Sequence, residues 1–172
     1  RSAYVGKEMD IEKPRSIILA LLSQLKFGMD LHRVALPTFI LEPRSMLERI
    51  TDFFTYQSQI LEIPKQEDPL ERMINVCRYF ISGWHIRKAG IKKPFNPVLG
   101  ETFECSWKLE DGSDSFYKAE QVSHHPPISA YEWKNELNGV SIAGNLKPKS
   151  KFLGNSACSI MGGWSELKLD KW

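Results

Sequence analysis

The spacing of apolar positions along this chain changes once, from a helical repeat before about residue 88 to strict alternation after Thr102. In the first stretch, Ile17, Ile18, Leu19, Ala20, Leu21, Leu22 and Leu25 form a short, almost uniformly apolar helix. Pro14 suits its start and Gly28 its end. A helix apolar on nearly every side must be covered, so this one is either a core helix or a lid over something apolar. Ser45 and Glu48 have the spacing of a capping box. The apolar positions from Met46 and Leu47 through Ile50, Phe53 and Phe54 to Ile60 and Leu61 predict one helix with a single inward face. Asp68, Pro69 and Glu71 repeat the start signal. Behind them Leu70, Met73, Ile74, Cys77, Phe80, Ile81 and Trp84 predict another core-facing stripe, closed by His85 at the negative end of the helix dipole.

From Thr102 the alternation of Phe103, Cys105, Trp107 and Leu109 with polar residues predicts a strand. Glu110-Asp111-Gly112-Ser113 turns it into a second strand through Phe116-Tyr117-Lys118-Ala119. A third is expected over Ile128–Trp133, and Asn138-Gly139 leads into a fourth at Val140–Ala143. Two more are placed around Phe152–Met161 and Trp164–Leu169, with Gly162-Gly163 as their turn. Connections this short require antiparallel pairing. The expected layout is thus α+β, with a candidate lid at 14–28, helices over 44–88 and sheet over 102–170.

Composition narrows the class without naming a function. A chain of 172 residues, 42% hydrophobic and 26% charged, has material for one core. Its 23 basic and 21 acidic side chains leave a net charge of +2, too even to argue for nucleic acid. Three scattered cysteines fit reduced thiols in a cytoplasmic setting. No run approaches the roughly 20 apolar residues that span a bilayer, so the expected meeting with membranes is at their surface.

The most pointed chemistry lies at residues 120–130, Glu-Gln-Val-Ser-His-His-Pro-Pro-Ile-Ser-Ala. Each proline fixes its own φ, and Pro126 restricts His125, so the two imidazoles leave the backbone in defined directions. Such a pair can receive an anion, since imidazole donates one N–H and imidazolium two. It can equally cap exposed backbone at a strand end. Zinc is a third reading, but His32, His85, Cys77, Cys105 and Cys158 offer no CxxC or HxxxH spacing, and no metal ligand is assigned. A second candidate is Lys93-Pro94-Phe95-Asn96-Pro97, whose ammonium and amide can bind phosphate oxygens, or which can be a plain structural turn.

The 120–130 string resembles the fingerprint of the oxysterol-binding-protein-related lipid transfer family. Lys92–Glu101 and Leu36–Ser45 are similar to two further family segments, the second especially to the branch that transfers phosphatidylserine. The likeness runs from about residue 16 to the end and covers the N-terminal portion of the family's longer lipid-binding domain. It implies a large, nearly complete β-barrel around an internal lipid tunnel, here incomplete at its C-terminus, with the 14–28 helix as lid. It also implies that Lys93, Asn96, His124 and His125 bind the phosphates of phosphatidylinositol 4-phosphate. Leu22, Ser23, Gln24 and Leu25, with Lys93 and Asn96, would lie near phosphatidylserine. Glu101, Ser123, Thr38 and Phe39 are secondary candidates; Glu101 would either balance Lys93 or hold its loop.

The activity so implied is non-enzymatic and needs no cofactor. One lipid is bound, and phosphatidylserine is exchanged for phosphatidylinositol 4-phosphate between membranes. The expected protein is monomeric when complete and visits membrane contact sites, such as those of endoplasmic reticulum and plasma membrane, only transiently. Sterol in place of phosphatidylserine is the alternative within the family. A phosphoinositide hydrolase using His124 or His125 is the alternative outside it, although no GxSxG, HExxH or glycine-rich phosphate loop accompanies the histidines.

Overall fold

The computed structural model describes residues 41–86, 93–153 and 157–171. The 14–28 helix, with Leu22, Ser23, Gln24 and Leu25, lies outside the described residues, as do Thr38 and Phe39. The chain divides into two compact units, one of Arg1–Leu36 with Ser150–Ser159, the other of Pro37–Lys149 with Ile160–Trp172. The second contains the core and the candidate site discussed below.

Strand β1 (Leu41–Ser45) runs directly into helix α1 (Met46–Arg49), a 3-10 helix (Ile50–Phe54) and helix α2 (Gln57–Glu62). Ser45 caps α1, its Oγ accepting from Leu47 N at 3.4 Å. The single helix expected over this stretch is therefore broken in the middle. Thr51 and Thr55 turn their hydroxyls onto the carbonyls of Glu48 and Asp52, at 2.6 and 2.9 Å, and Arg49 Nε pairs with Asp52 Oδ2 at 3.0 Å. Contacts three residues apart match the three-residue turn of a 3-10 helix.

Helix α3 (Pro69–His85) follows the sequence signals at both ends, with Asp68 Oδ1 accepting from Leu70 N at 2.9 Å and Pro69 in the first turn. Its inward face is a correction. Leu70, Met73, Phe80, Ile81 and Trp84 are exposed, and so is Cys77. Val76 and Tyr79 pack against the core, Gly83 is buried, and a Cβ at Gly83 would stand 2.8 Å from the Phe53 ring. The buried line 76, 79, 83 has the same helical period as the predicted stripe but points elsewhere, because glycine adds nothing to an apolar count yet permits the closest approach. Burial of Tyr79 pushes its phenol pKa up.

Two β-pairings follow. Strand β2 (Lys93–Phe95) lies parallel to β1, with Leu41 opposite Lys93 and Ser45 opposite Phe95. The turn considered at Lys93–Pro97 is thus partly a strand. The main sheet is an antiparallel meander of β3 (Thr102–Lys108), β4 (Asp114–Ser123), β5 (Ile128–Asn135), β6 (Val140–Phe152) and β7 (Ala157–Leu169), in that spatial order. No closing pair joins its outer strands among the described residues. The two terminal strands expected around Gly162-Gly163 are one strand, β7. Gly163 has φ 128°, and a Cβ there would collide with the carbonyl oxygen of Asn145 on β6; one on Gly144 would meet the carbonyl of Trp164. These glycines let two backbones approach across the β6/β7 seam rather than turning the chain.

One face of the sheet carries the core. Leu47, Ile50, Phe54, Ile60, Leu61 and Ile63 from the helical stretch meet Tyr117, Ala119, Trp133, Val140 and Ile142 from β4, β5 and β6. Phe54 stacks on Trp133 with ring centroids 5.8 Å apart and planes 11° from parallel. Full burial of such a ring contributes about 3 kcal/mol. Several polar groups carried inside are paired. Tyr117 Oη donates to Leu47 O at 3.0 Å, while Gln57 Oε1 accepts from Trp133 Nε1 at 3.2 Å and from Ser115 Oγ.

Candidate functional site

The β1/β2 pair is a platform anchored from below. Glu42 on β1 is only 3% exposed, yet its carboxylate is held by Arg49 at 2.7 Å and Arg44 at 3.4 Å, and Arg44 also binds Asp52 at 2.8 Å. A carboxylate this deep needs such partners. They tie β1 to the first helical turns, and β1 in turn sets the register of β2. The platform ends at Lys93 and the turn that follows.

Lys93 is half-buried, and its Nζ donates to Asn96 Oδ1 at 2.8 Å. Burial lowers the lysine pKa, because the ammonium has given up water. Pro94 and Pro97 are buried on either side, and Asn96 between them is exposed. The turn closes with Glu101 N donating to Val98 O at 3.0 Å, across Gly100 at φ 79°. Glu101 occupies the loop-holding position. Its carboxylate accepts from Ser45 Oγ at 2.5 Å and from Val98 N at 3.0 Å, so it joins the turn to the cap of α1.

The histidines emerge where β4 ends. The pairing register of β4 on β5 shifts between Gln121 and Ser123, and a shift of this kind re-aims the side chains beyond it. His124 and His125 are both exposed, their ring centroids 4.6 Å apart with planes at 60°. The peptide bond from His125 to Pro126 is cis, and Ser123 Oγ donates to Pro126 O at 2.7 Å across the turn. Ser123 is therefore engaged by its own loop.

One contact joins the two candidate segments, which stand 27 positions apart in sequence. His124 Nδ1 lies 3.1 Å from the carbonyl oxygen of Pro97. A carbonyl can only accept, so Nδ1 carries the proton, and in the neutral ring Nε2 is an acceptor. Protonation turns Nε2 into a second donor directed away from the turn, which suits an oxyanion. Lys93, Asn96, His124 and His125 thus sit on two adjoining turns that present an ammonium, an amide and two imidazoles. Gln121 and the Pro97 carbonyl, which complete this arrangement, carried no assignment from sequence. The signal for Gln121 was its phase, since it follows Tyr117 and Ala119 on the buried face of β4. A separate open groove of about 720 Å³, lined by residues including Tyr56, Asn75, Arg78, Ser82 and His85, contains none of these groups.

Residues 20–172 match the family model described as oxysterol-binding protein. This chain belongs to the oxysterol-binding protein family. It is 48% identical over 169 residues to an oxysterol-binding protein homolog of Schizosaccharomyces pombe, covering 92% of this chain and 35% of that protein. With oxysterol-binding protein homolog 7 of Saccharomyces cerevisiae it shares 47% over 154 residues, covering 90% and 35%. Among solved structures, the Osh1 ORD domain in complex with ergosterol superposes with TM-score 0.79 at 31% identity, covering 92% of this chain and 37% of that one. The Osh3 ORD of Saccharomyces cerevisiae in complex with PI(4)P superposes at 0.73 and 30% identity, covering 88% and 39%. This oxysterol-binding-protein chain therefore spans little more than a third of the two fungal relatives it matches.

Proposed function

We propose that this chain is part of a lipid carrier that takes one lipid at a time and exchanges phosphatidylserine for phosphatidylinositol 4-phosphate between membranes. The observation that carries the reading is the 3.1 Å contact of His124 Nδ1 with Pro97 O, which brings the histidine turn against the segment that carries Lys93 and Asn96. A phosphate monoester needs several donors and positive charge converging from more than one direction, and these four side chains supply both. The similarity to an ORD crystallised with PI(4)P supports the same ligand here.

In this reading residues 14–28 close over the loaded lipid, and Leu22, Ser23, Gln24 and Leu25, with Thr38 and Phe39, line its upper part. The strands belong to a barrel around the acyl chains. The carrier works in the cytoplasm, as a monomer that touches membrane surfaces transiently, and catalyses nothing. Acyl chains pass from one apolar setting to another, so headgroup contacts rather than apolar burial select the cargo.

A sterol in place of phosphatidylserine is the second reading, favoured by the similarity to an ORD crystallised with ergosterol and with cholesterol. Native mass spectrometry of the full chain after exposure to liposomes containing phosphatidylserine, phosphatidylinositol 4-phosphate and ergosterol tests both. Adducts of one phosphatidylserine or one phosphatidylinositol 4-phosphate are expected. A sterol adduct without phosphatidylserine would shift the reading to the second cargo, and no lipid adduct would overturn it.

A further inference from the structure

Gln121 is bonded to both turns of the site. It is 1% exposed and satisfies all four of its hydrogen-bonding groups within the protein. Its backbone N–H donates to Glu101 O at 3.0 Å, and its carbonyl accepts from Gly100 N at 2.9 Å, which holds the end of the Lys93–Asn96 turn. Its side chain faces the other way. Nε2 donates to Ser123 O at 2.9 Å, and Oε1 accepts from Ser129 Oγ at 2.6 Å.

The side-chain bonds span the register shift in β4. A bulge leaves a peptide without its ladder partner, and a buried amide that binds the Ser123 carbonyl fixes that peptide's orientation immediately before His124. His124 then reaches back to Pro97. The contacts therefore form a closed ring: Gln121 to the turn at Gly100 and Glu101, along the turn to Pro97, across to His124, and through Ser123 back to Gln121. A simple strand residue would contribute only the backbone half of it.

Resting on the function proposed above, we infer that Gln121 is a positioning residue, whose carboxamide sets the direction of the His124–His125 pair relative to Lys93 and Asn96 for a phosphate-monoester headgroup. It touches no ligand itself. Glutamine is specified because the position needs one donor and one acceptor on the same buried group: a carboxylate would oppose the Ser123 carbonyl with a second acceptor, and an apolar side chain would leave that carbonyl and the Ser129 hydroxyl unpaired.

The test uses Gln121→Met, which keeps length and volume without the amide, in the full chain with ¹⁵N-labelled histidine. In the lipid-free protein the hydrogen-bonded Nδ1–H signal of His124 is expected to move or vanish. Uptake of phosphatidylinositol 4-phosphate from vesicles is expected to fall about tenfold or more, while uptake of phosphatidylserine changes by less than about threefold. A folded Gln121→Met with unaltered His124 imidazole signals would overturn the inference, as would equal loss of both lipids. If Gln121→Met fails to fold, Ser129→Ala, which frees only the carboxamide oxygen, is judged by the same criteria with a smaller shift expected. If the unaltered chain takes up no phosphoinositide, the functional reading falls, and the imidazole signals alone decide whether Gln121 orients the pair.

Discussion

Lys93 is more useful charged than comfortable. Its depressed pKa comes from lost hydration, so the folded protein carries a penalty that, on the proposed function, a bound phosphate would relieve. The sign of the pH dependence follows. With the folded pKa below the unfolded one, the penalty is complete below the folded pKa and is relieved as pH rises from there towards the unfolded value. Lys93→Met is therefore expected to leave the melting temperature at neutral pH unchanged or slightly higher, while phosphatidylinositol 4-phosphate uptake is lost. Calorimetry and vesicle uptake on the same variant check this; a clear fall in melting temperature would make Lys93 a structural residue. The histidines give a second residue-scale expectation. His124→Ala with His125→Ala should abolish uptake of phosphatidylinositol 4-phosphate and spare phosphatidylserine, which carries no phosphate monoester. The two turns were legible as candidates from residue types beside prolines. The contact between them was not, because it runs from His124 to the Pro97 carbonyl, a group every residue possesses.

At the scale of elements, sequence gave periods more faithfully than phases. The helix over 69–85 has the expected caps and length, yet its buried line is Val76, Tyr79 and Gly83. Hydrophobicity weights Leu, Met and Trp, whereas docking was decided by where a glycine admits Phe53. Two substitutions separate the alternatives. Gly83→Val should force the Phe53 ring aside and cost about 1–3 kcal/mol, the range for overpacking. Met73→Ser, on the stripe assigned to the core by pattern alone, should stay within about 0.5 kcal/mol. Chemical denaturation of both in the same background is sufficient, and a larger loss from Met73→Ser than from Gly83→Val would reinstate the predicted face. The break after Arg49 and the passage of β7 through Gly162-Gly163 have the same origin. In each, a hydroxyl, an ion pair or a missing Cβ acted where an apolar count registers nothing.

For the whole molecule, the α+β order and the antiparallel meander followed from the change of period near Thr102, while barrel and tunnel came from family resemblance alone. The site's position, on turns at the ends of β2 and β4 rather than within the core, bears on how cargo would be exchanged. On the proposed function, a headgroup received by exposed His124 and His125 would engage while its acyl chains are still leaving a membrane, and phosphoinositide capture and chain burial would be successive steps in one transfer. On the proposed one-lipid reading, phosphatidylserine and phosphatidylinositol 4-phosphate exclude each other. Protein preloaded with phosphatidylserine and mixed with phosphatidylinositol 4-phosphate vesicles should lose the first adduct as it gains the second, with no doubly loaded species in native mass spectra. The His124→Ala/His125→Ala variant should keep its phosphatidylserine under the same challenge, because the competitor lacks its phosphate contacts. Simultaneous binding of both lipids would refute the single-cargo mechanism even if each headgroup used the residues assigned to it.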